Sequence, residues 1–333
     1  MYTIEYKNKS VHFPDDVSSS AASMYRQNMF YEFIFLRYIE SLALGGAYLD
    51  VGAAWANHSL FFVRYCPASK VIAVEPVNDT ARILDMNGGG DKIELLRVGA
   101  SDRYEKAHYA GRDFDCVPLG EHPAVAAQKI GLIKIDIEGM ELKAIRGLAK
   151  IIERDRPVLY CEAFDATGTT DIEDFLSTCD YVKTNRIFNL TPVHEFFPRE
   201  KSGELVEEID MLDRCGVKDG KVQVSSADML AVLPGATDVE SPDPALPIPL
   251  RRDRMTFAQL VLSKEPSELK RAMKVAYFDE GRRYLGETEY VVSNYRKMEL
   301  LAPPEGAAYV LPLVAAAGEG SLTVHDFSVF SSK

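Results

Sequence analysis

Five apolar runs in the first half of the chain each end in an acidic residue. Asp50 closes AYLDVG, Glu75 closes VIAVEP, Asp102 closes IELLRVGASD, Asp136 with Glu138 closes LIKIDIEG, and Glu162 closes PVLYCEA. Runs this apolar, separated by amphipathic stretches, read as buried parallel strands. Ligands of an open parallel sheet bind beyond the carboxyl ends of its strands, where these acids are expected to gather. An acidic ring repels phosphate and suits a cationic ligand that also carries ribose hydroxyls and an amine. Glu75, some twenty-five residues after Asp50, has the position of a carboxylate that accepts two hydrogen bonds from a ribose diol. Each acid also has a plainer reading, as a helix cap or a solvated loop charge.

The elements that must position these acids follow from the pattern between them. Apolar side chains at helical spacing predict a helix over 20–44, stopping at Gly45-Gly46. Further helices are expected over 59–65, 79–86, 140–152 and 171–179, with strands at 181–188 and 228–233 closing the sheet. The expected fold class is therefore α/β, a doubly wound, Rossmann-like parallel sheet over residues 1–235. Five prolines within 234–250 (PGATDVESPDPALPIPL) predict a linker over 236–250. Short β-rich runs broken by turn signals predict a small β-sandwich-like module over 251–333.

The bulk numbers set outer bounds. The 333 residues are about twice the ~150 of one typical domain. Fifty acidic against 38 basic residues give a net charge of −12, which argues against nucleic-acid partners and against an anionic membrane surface. No membrane span and no export signal is expected. Five widely spaced cysteines without a CxxC pair fit neither a disulfide scaffold nor a zinc site, and point to the cytoplasm. The carboxylates show no ligand spacing that demands a metal, so none is expected.

The loop DVGAAWANHS lacks the GxGxxG spacing of a dinucleotide fold and the lysine of a phosphate loop. Taken with its neighbours, it is informative in another way. The strings YLDVGAAWANHSLFFVRY, VIAVEP and IGLIKIDIEGMELKAIRGLAKIIERDRPVLYCEA resemble the FkbM family of S-adenosylmethionine-dependent methyltransferases, over about residues 25–235. Lys134 to Leu142 is the most distinctive stretch. The resemblance implies a class I methyltransferase sheet, S-adenosyl-L-methionine as cofactor, and O-methylation of a sugar, glycan or secondary-metabolite hydroxyl. Carried onto this chain, cofactor contacts fall on Asp50, Gly52, Ala54 and Asn57, on Glu75 and Pro76, and on Ser101 and Asp102.

Candidates for catalysis are Asp136, Glu138, Glu162 and His58, the last being equally suited to fixing its loop. Lys134 is the expected charge partner of Asp136 and Glu138. The chain departs from the family at Ala54 and Ala56, where Asn and Gly are usual. Gly120 likewise replaces a usual Asp. A non-catalytic binding or scaffold protein with a drifted cofactor loop is the alternative these changes raise. The segment 189–226 is a candidate acceptor-selecting lid. The C-terminal module is expected to be structural or to join copies into a homo-oligomer, its aromatics Tyr277, Phe278, Tyr284, Tyr290 and Tyr295 being core or contact residues.

Overall fold

The computed structural model describes residues 1–88, 92–163, 166–215, 217, 221–233, 246–251, 253–263, 269–293 and 295–333. The chain forms two compact units, Met1–Ser202 and Gly203–Lys333.

The first unit opens with a hairpin that the sequence pattern did not announce. Strands β1 (Tyr2–Tyr6) and β2 (Lys9–Phe13) pair antiparallel through Lys7 and Asn8, both at positive φ, the two-residue turn that suits strand twist. The single helix expected over 20–44 is two, α1 (Ser19–Tyr25) and α2 (Phe33–Leu42). Between them Asn28 and Glu32 adopt left-handed conformations that no helix contains. Asn57 holds this break: its Oδ1 accepts from the Tyr31 amide at 3.1 Å and its Nδ2 donates to the Tyr31 carbonyl at 2.9 Å.

The alternation then proceeds as expected. In order come β3 (Ala47–Val51), α3 (Asn57–Tyr65), β4 (Val71–Val74), α4 (Thr80–Met86) and β5 (Ile93–Leu96). The run expected as one strand to Asp102 breaks after Leu96. A short β6 (Gly99–Ala100) joins β7 (Glu105–Tyr109) and β8 (Arg112–Val117) in a separate three-stranded sheet. Then follow α5 (Pro123–Ala126), β9 (Ile130–Ile135), α6 (Glu141–Gly147), α7 (Ala149–Asp155), β10 (Val158–Glu162), α8 (Ala166–Thr178), β11 (Tyr181–Phe188) and β12 (Val193–Pro198).

The central sheet has the order β11-β12-β10-β9-β3-β4-β5. From β10 to β5 neighbours run parallel, and β12 is antiparallel to both of its neighbours. Every residue of β3, β4 and β10 is buried, as a sheet covered on both faces requires. The chain steps outward from β3 to β5 and returns to β9 on the other side of β3. Strand order reverses there, between β3 and β9.

The domain boundary differs from the expected 235. Strands β13 (Val206–Asp210) and β14 (Lys221–Leu233), with the short α9 (Met211–Arg214) between them, belong to the second unit. Both strands pair antiparallel with its last strand, and neither extends the central sheet. The segment read as a lid is thus β12 of the first unit followed by two strands of the second. Most of the expected linker, 236–245, lies outside the described residues. Its end forms β15 (Ile248–Pro249), also paired to the last strand.

The remaining strands are β16 (Thr256–Leu262), β17 (Lys270–Phe278), β18 (Tyr284–Val291), β19 (Arg296–Leu300) and the long β20 (Tyr309–Ser332). Strand β20 pairs with β17 in its first half and with β16 in its second, passing Gly318 at φ 123° between them. One strand serving two sets of partners makes the corner of an all-β fold. Tyr277 and Phe278 lie in the core of this unit, with Tyr284 and Tyr290 packed against it.

Candidate active site

The first loop takes its shape from three residues at positive φ: Gly52 at 82°, Ala54 at 44° and Ala56 at 58°. Gly52 is required on two counts, since a Cβ there would also meet the Asp136 carbonyl oxygen at 1.8 Å. Ala54 and Ala56 hold conformations that Asn and Gly adopt with least strain. The departure from the family pattern therefore leaves the left-handed turns in place and adds strain to them.

At the reversal of strand order, this loop borders a cavity of about 340 Å³. Gly52 and Ala54 line it from β3, Glu75 and Pro76 from β4, Gly99 and Ala100 from β6, and Asp136 and Glu138 from β9. Its carboxylates are Glu75, Asp136 and Glu138, and no Lys or Arg is among its lining residues. The volume is that of a small-molecule site.

Glu75 is 6% exposed and organises the rim. Its Oε2 accepts from the Ala54 amide at 2.9 Å, and its Oε1 accepts from the amides of Val77 at 2.8 Å and Asn78 at 3.0 Å. A carboxylate has about four acceptor positions, so one remains on Oε2 for a ligand hydroxyl.

Asp50 is fully buried and does not line the cavity. Its Oδ2 accepts from the Ser59 hydroxyl at 2.6 Å, and its Oδ1 stands 3.3 Å from Lys134 Nζ. Lys134 also donates to the Gly52 carbonyl at 2.9 Å and lies 3.6 Å from Asp136 Oδ2. Burial opposes the lysine's charge, but the carboxylates of Asp50, Asp136 and Glu32 outweigh it and hold Lys134 above its ordinary value. Lys134 is thus a fixed cation under the loop.

Asp136 leaves the end of β9 beside Glu162 at the end of β10. Burial works against the charge of Asp136, yet Lys134, a hydrogen bond from Glu162 and nearby His58 keep its pKa below the usual value. Glu162 is 4% exposed, and burial followed by its hydrogen bond with Asp136 pushes its pKa up to about 8. Glu138, at φ 58°, is raised by burial, by Asp136 and by Glu141. Neither Asp136 nor Glu138 caps α6, which has no side-chain cap hydrogen bond; Glu141 Oε1 instead accepts from the preceding loop amides of Ile137 and Gly139 at 3.1 and 3.0 Å.

The structure separates the other candidates from the cavity wall. His58 Nε2 stands 2.9 Å from Glu32 Oε2, with both side chains nearly buried. Asn57 is committed to Tyr25 and Tyr31. Ser101 is buried and donates to Glu105 Oε1 at 2.6 Å, and Asp102 is exposed. Among the described residues, no group of three or more His, Cys, Asp or Glu side chains is arranged to hold a metal ion.

One wall had no forecast. Ala107, His108, Tyr109 and Phe114 of the β7–β8 hairpin line the cavity. The signal was present in Ala110-Gly111, a two-residue turn at positive φ between two strand-like runs. Tyr109 is 49% exposed, and its pKa is raised by Glu138, then by burial, Glu75 and Asp136, so its phenol overlooks the acidic floor.

Residues 45–183 match the family described as Methyltransferase FkbM domain. Over this segment the chain is similar to FkbM methyltransferase domains. The central sheet there is a doubly wound, mainly parallel sheet, and the all-β unit lies beyond the matched residues. Among solved structures, the chain is similar to a methyltransferase FkbM from Methylobacillus flagellatus KT, at 20% identity and a TM-score of 0.40. That match covers 46% of this chain and 44% of the other, less than half its length. A precorrin-6y C5,15-methyltransferase from Geobacter metallireducens GS-15 is similar at 14% identity and a TM-score of 0.34, over 50% and 84% of the two chains. A methyltransferase from Geobacter sulfurreducens is similar at 16% identity and a TM-score of 0.36, over 56% and 92%. No curated protein matches the chain.

Proposed function

We propose that the protein is an S-adenosyl-L-methionine-dependent O-methyltransferase acting on a hydroxyl of a sugar, glycan or secondary metabolite. The carrying observation is the cavity at the strand-order reversal, lined by Glu75, Asp136 and Glu138 and by no Lys or Arg. Such a lining disfavours a phosphate-bearing cofactor and fits a sulfonium with an amine and a ribose. Glu75 would hold the ribose through its remaining acceptor position. Val74, Val77, Val98 and Phe114 offer apolar walls for a flat base.

When bound, the cofactor supplies an electrophilic methyl group on a sulfonium. The chain's task is to hold an acceptor oxygen in line with that methyl and to accept its proton. Asp136 would take that role, a reading supported by its position at the cavity wall with its side chain 31% exposed. His58, paired with Glu32, and Asn57, tied to the 25–32 segment, instead brace the loop.

The drifted-scaffold alternative loses its main support, because Ala54 and Ala56 keep the left-handed turns. Among the described residues no helix is long and apolar enough to cross a membrane, and all five cysteines are free, which accords with a cytoplasmic enzyme. Pairing of copies through the C-terminal unit is a separate proposal, tested by sedimentation.

Trp55, the only tryptophan, is the chain neighbour of Ala54, which lines the cavity, and offers a fluorescence probe of binding. Titration with S-adenosylmethionine and S-adenosylhomocysteine is expected to change its fluorescence and to release heat. Transfer of a labelled methyl to a panel of sugar hydroxyls would then identify the acceptor. No heat and no fluorescence change at millimolar ligand would sink the enzyme reading.

A further inference from the structure

Asp136 and Glu162 are neighbours by register. Ile135 of β9 pairs with Cys161 of β10 in parallel, so the next residue of each strand leaves the sheet edge beside the other. Asp136 lines the cavity and Glu162 stands behind it, 4% exposed. Glu162 Oε2 is buried and receives no donor. Two carboxyls held side by side in this way can share a hydrogen bond only when one of them carries a proton.

We propose that Asp136 and Glu162 act as one proton-accepting unit, in which Asp136 meets the acceptor hydroxyl and Glu162 is the positioning residue that shares the proton from behind. The inference rests on the methyl-transfer reading above. In the transfer, the acceptor O–H bond breaks and an O–CH3 bond forms. The methyl–sulfur bond breaks to leave a neutral thioether, and the proton passes to Asp136. It is then held between the two carboxyls until solvent removes it.

The surroundings divide the pair. Lys134 on β9 and His58 on α3 favour the ionised form of Asp136. Glu138, from the loop after β9, adds negative charge at Glu162, and Thr191, ahead of β12, donates to it. Tyr31 and Glu32 approach from the segment before α2. Tyr31 is itself pushed up to about 12, by burial and then by Glu32, Asp136 and Glu162. Two carboxyls this close lose their protons in two separated steps that belong to the pair. The second step falls near pH 8, as the Glu162 value indicates. A lone aspartate in the ordinary carboxylate range is a weak acceptor of a hydroxyl proton. The doubly ionised pair takes up a proton near neutral pH, where a general base is most effective.

Two measurements test this in the full-length protein. The first is the pH dependence of kcat for wild type and Glu162→Gln. Wild type is expected to rise to a plateau above about pH 8. Glu162→Gln should be at least ~10²-fold slower on that plateau and flat from pH 6 upward. The second needs no turnover: carbon-13 NMR of the carboxyl groups in the ligand-free protein. One resonance should titrate near pH 8 and be missing from Glu162→Gln. An unchanged pH midpoint in Glu162→Gln, or no wild-type carboxyl resonance titrating above pH 7, overturns the proposal. Absence of methyl transfer with the resonance present overturns the functional reading and leaves the proton-sharing pair standing.

Discussion

Strain concentrates at single residues around the cavity. Ala54, Ala56 and Glu138 all hold left-handed conformations that cost an L-residue about 1–2 kcal/mol each. Ala56 is wholly buried and its side chain is not part of the cavity lining, so the cost can be measured without touching the site. Ala56→Gly removes that strain but loosens the unfolded chain, which takes back ~0.4–1 kcal/mol. The net expectation is a gain of about 0.5–1 kcal/mol in urea unfolding, with cofactor affinity unchanged. A loss of stability would show that the alanine methyl packs well enough to outweigh its backbone cost. The family resemblance made part of this legible: it put Gly52 at the site, and Asn and Gly at the family's positions are the residue types that tolerate such turns. That Asp50 is buried against Lys134 and Ser59 was not legible, because a strand-end acid reads the same whether it faces a ligand or a lysine.

At the scale of elements, the β7–β8 hairpin forms the wall opposite the acidic strand ends. Tyr109 contributes to that wall while 49% exposed, so it adds little to folding and much to closure. Tyr109→Ala is expected to weaken S-adenosylmethionine binding by about tenfold, some 1.4 kcal/mol, and to leave the melting temperature within a degree or two. Equal affinity by calorimetry would show the hairpin to be a bystander. The alternating strands and helices between Ala47 and Phe188 followed from apolar periodicity, but the helix expected over 140–152 is the pair α6 and α7, α8 begins before the expected 171, and the strand expected to reach 102 stops at Leu96. The hairpin did not follow, since EKAHY and RDFDCV are mostly polar strands outside the main sheet, and the Ala110-Gly111 turn between them is a weak signal alone. The long helix over 20–44 was overcalled for a related reason. Its break at 26–32 is held by Asn57, a residue some twenty-five positions further along the chain.

For the whole molecule, the boundary at Ser202 has a direct consequence. All seven strands of the central sheet lie within 1–202. A fragment ending at Ser202 is expected to fold, to melt cooperatively and to bind S-adenosylmethionine as the full chain does. A fragment ending at residue 235 would carry β13 and β14 without β20, leaving two unpaired strands that invite association. It should be the less soluble of the two by light scattering. Equal behaviour of the two fragments, or failure of the shorter one to fold, would contradict the assignment of those strands to the second unit.

The resemblance of KIDIEGMEL to the FkbM family pointed to the reaction class, while local pattern by itself determined that strands alternate with helices and that acids stand at the ends of most of those strands. These are properties of neighbouring residues, carried by periodicity and composition. Only the tertiary structure decided which acids share a cavity. It set Asp50 on Lys134, placed Glu162 against Asp136, and gave β13 and β14 to β20. Each of those pairings joins residues far apart in the chain, and register and burial, which arise on folding, choose among chemically equivalent partners.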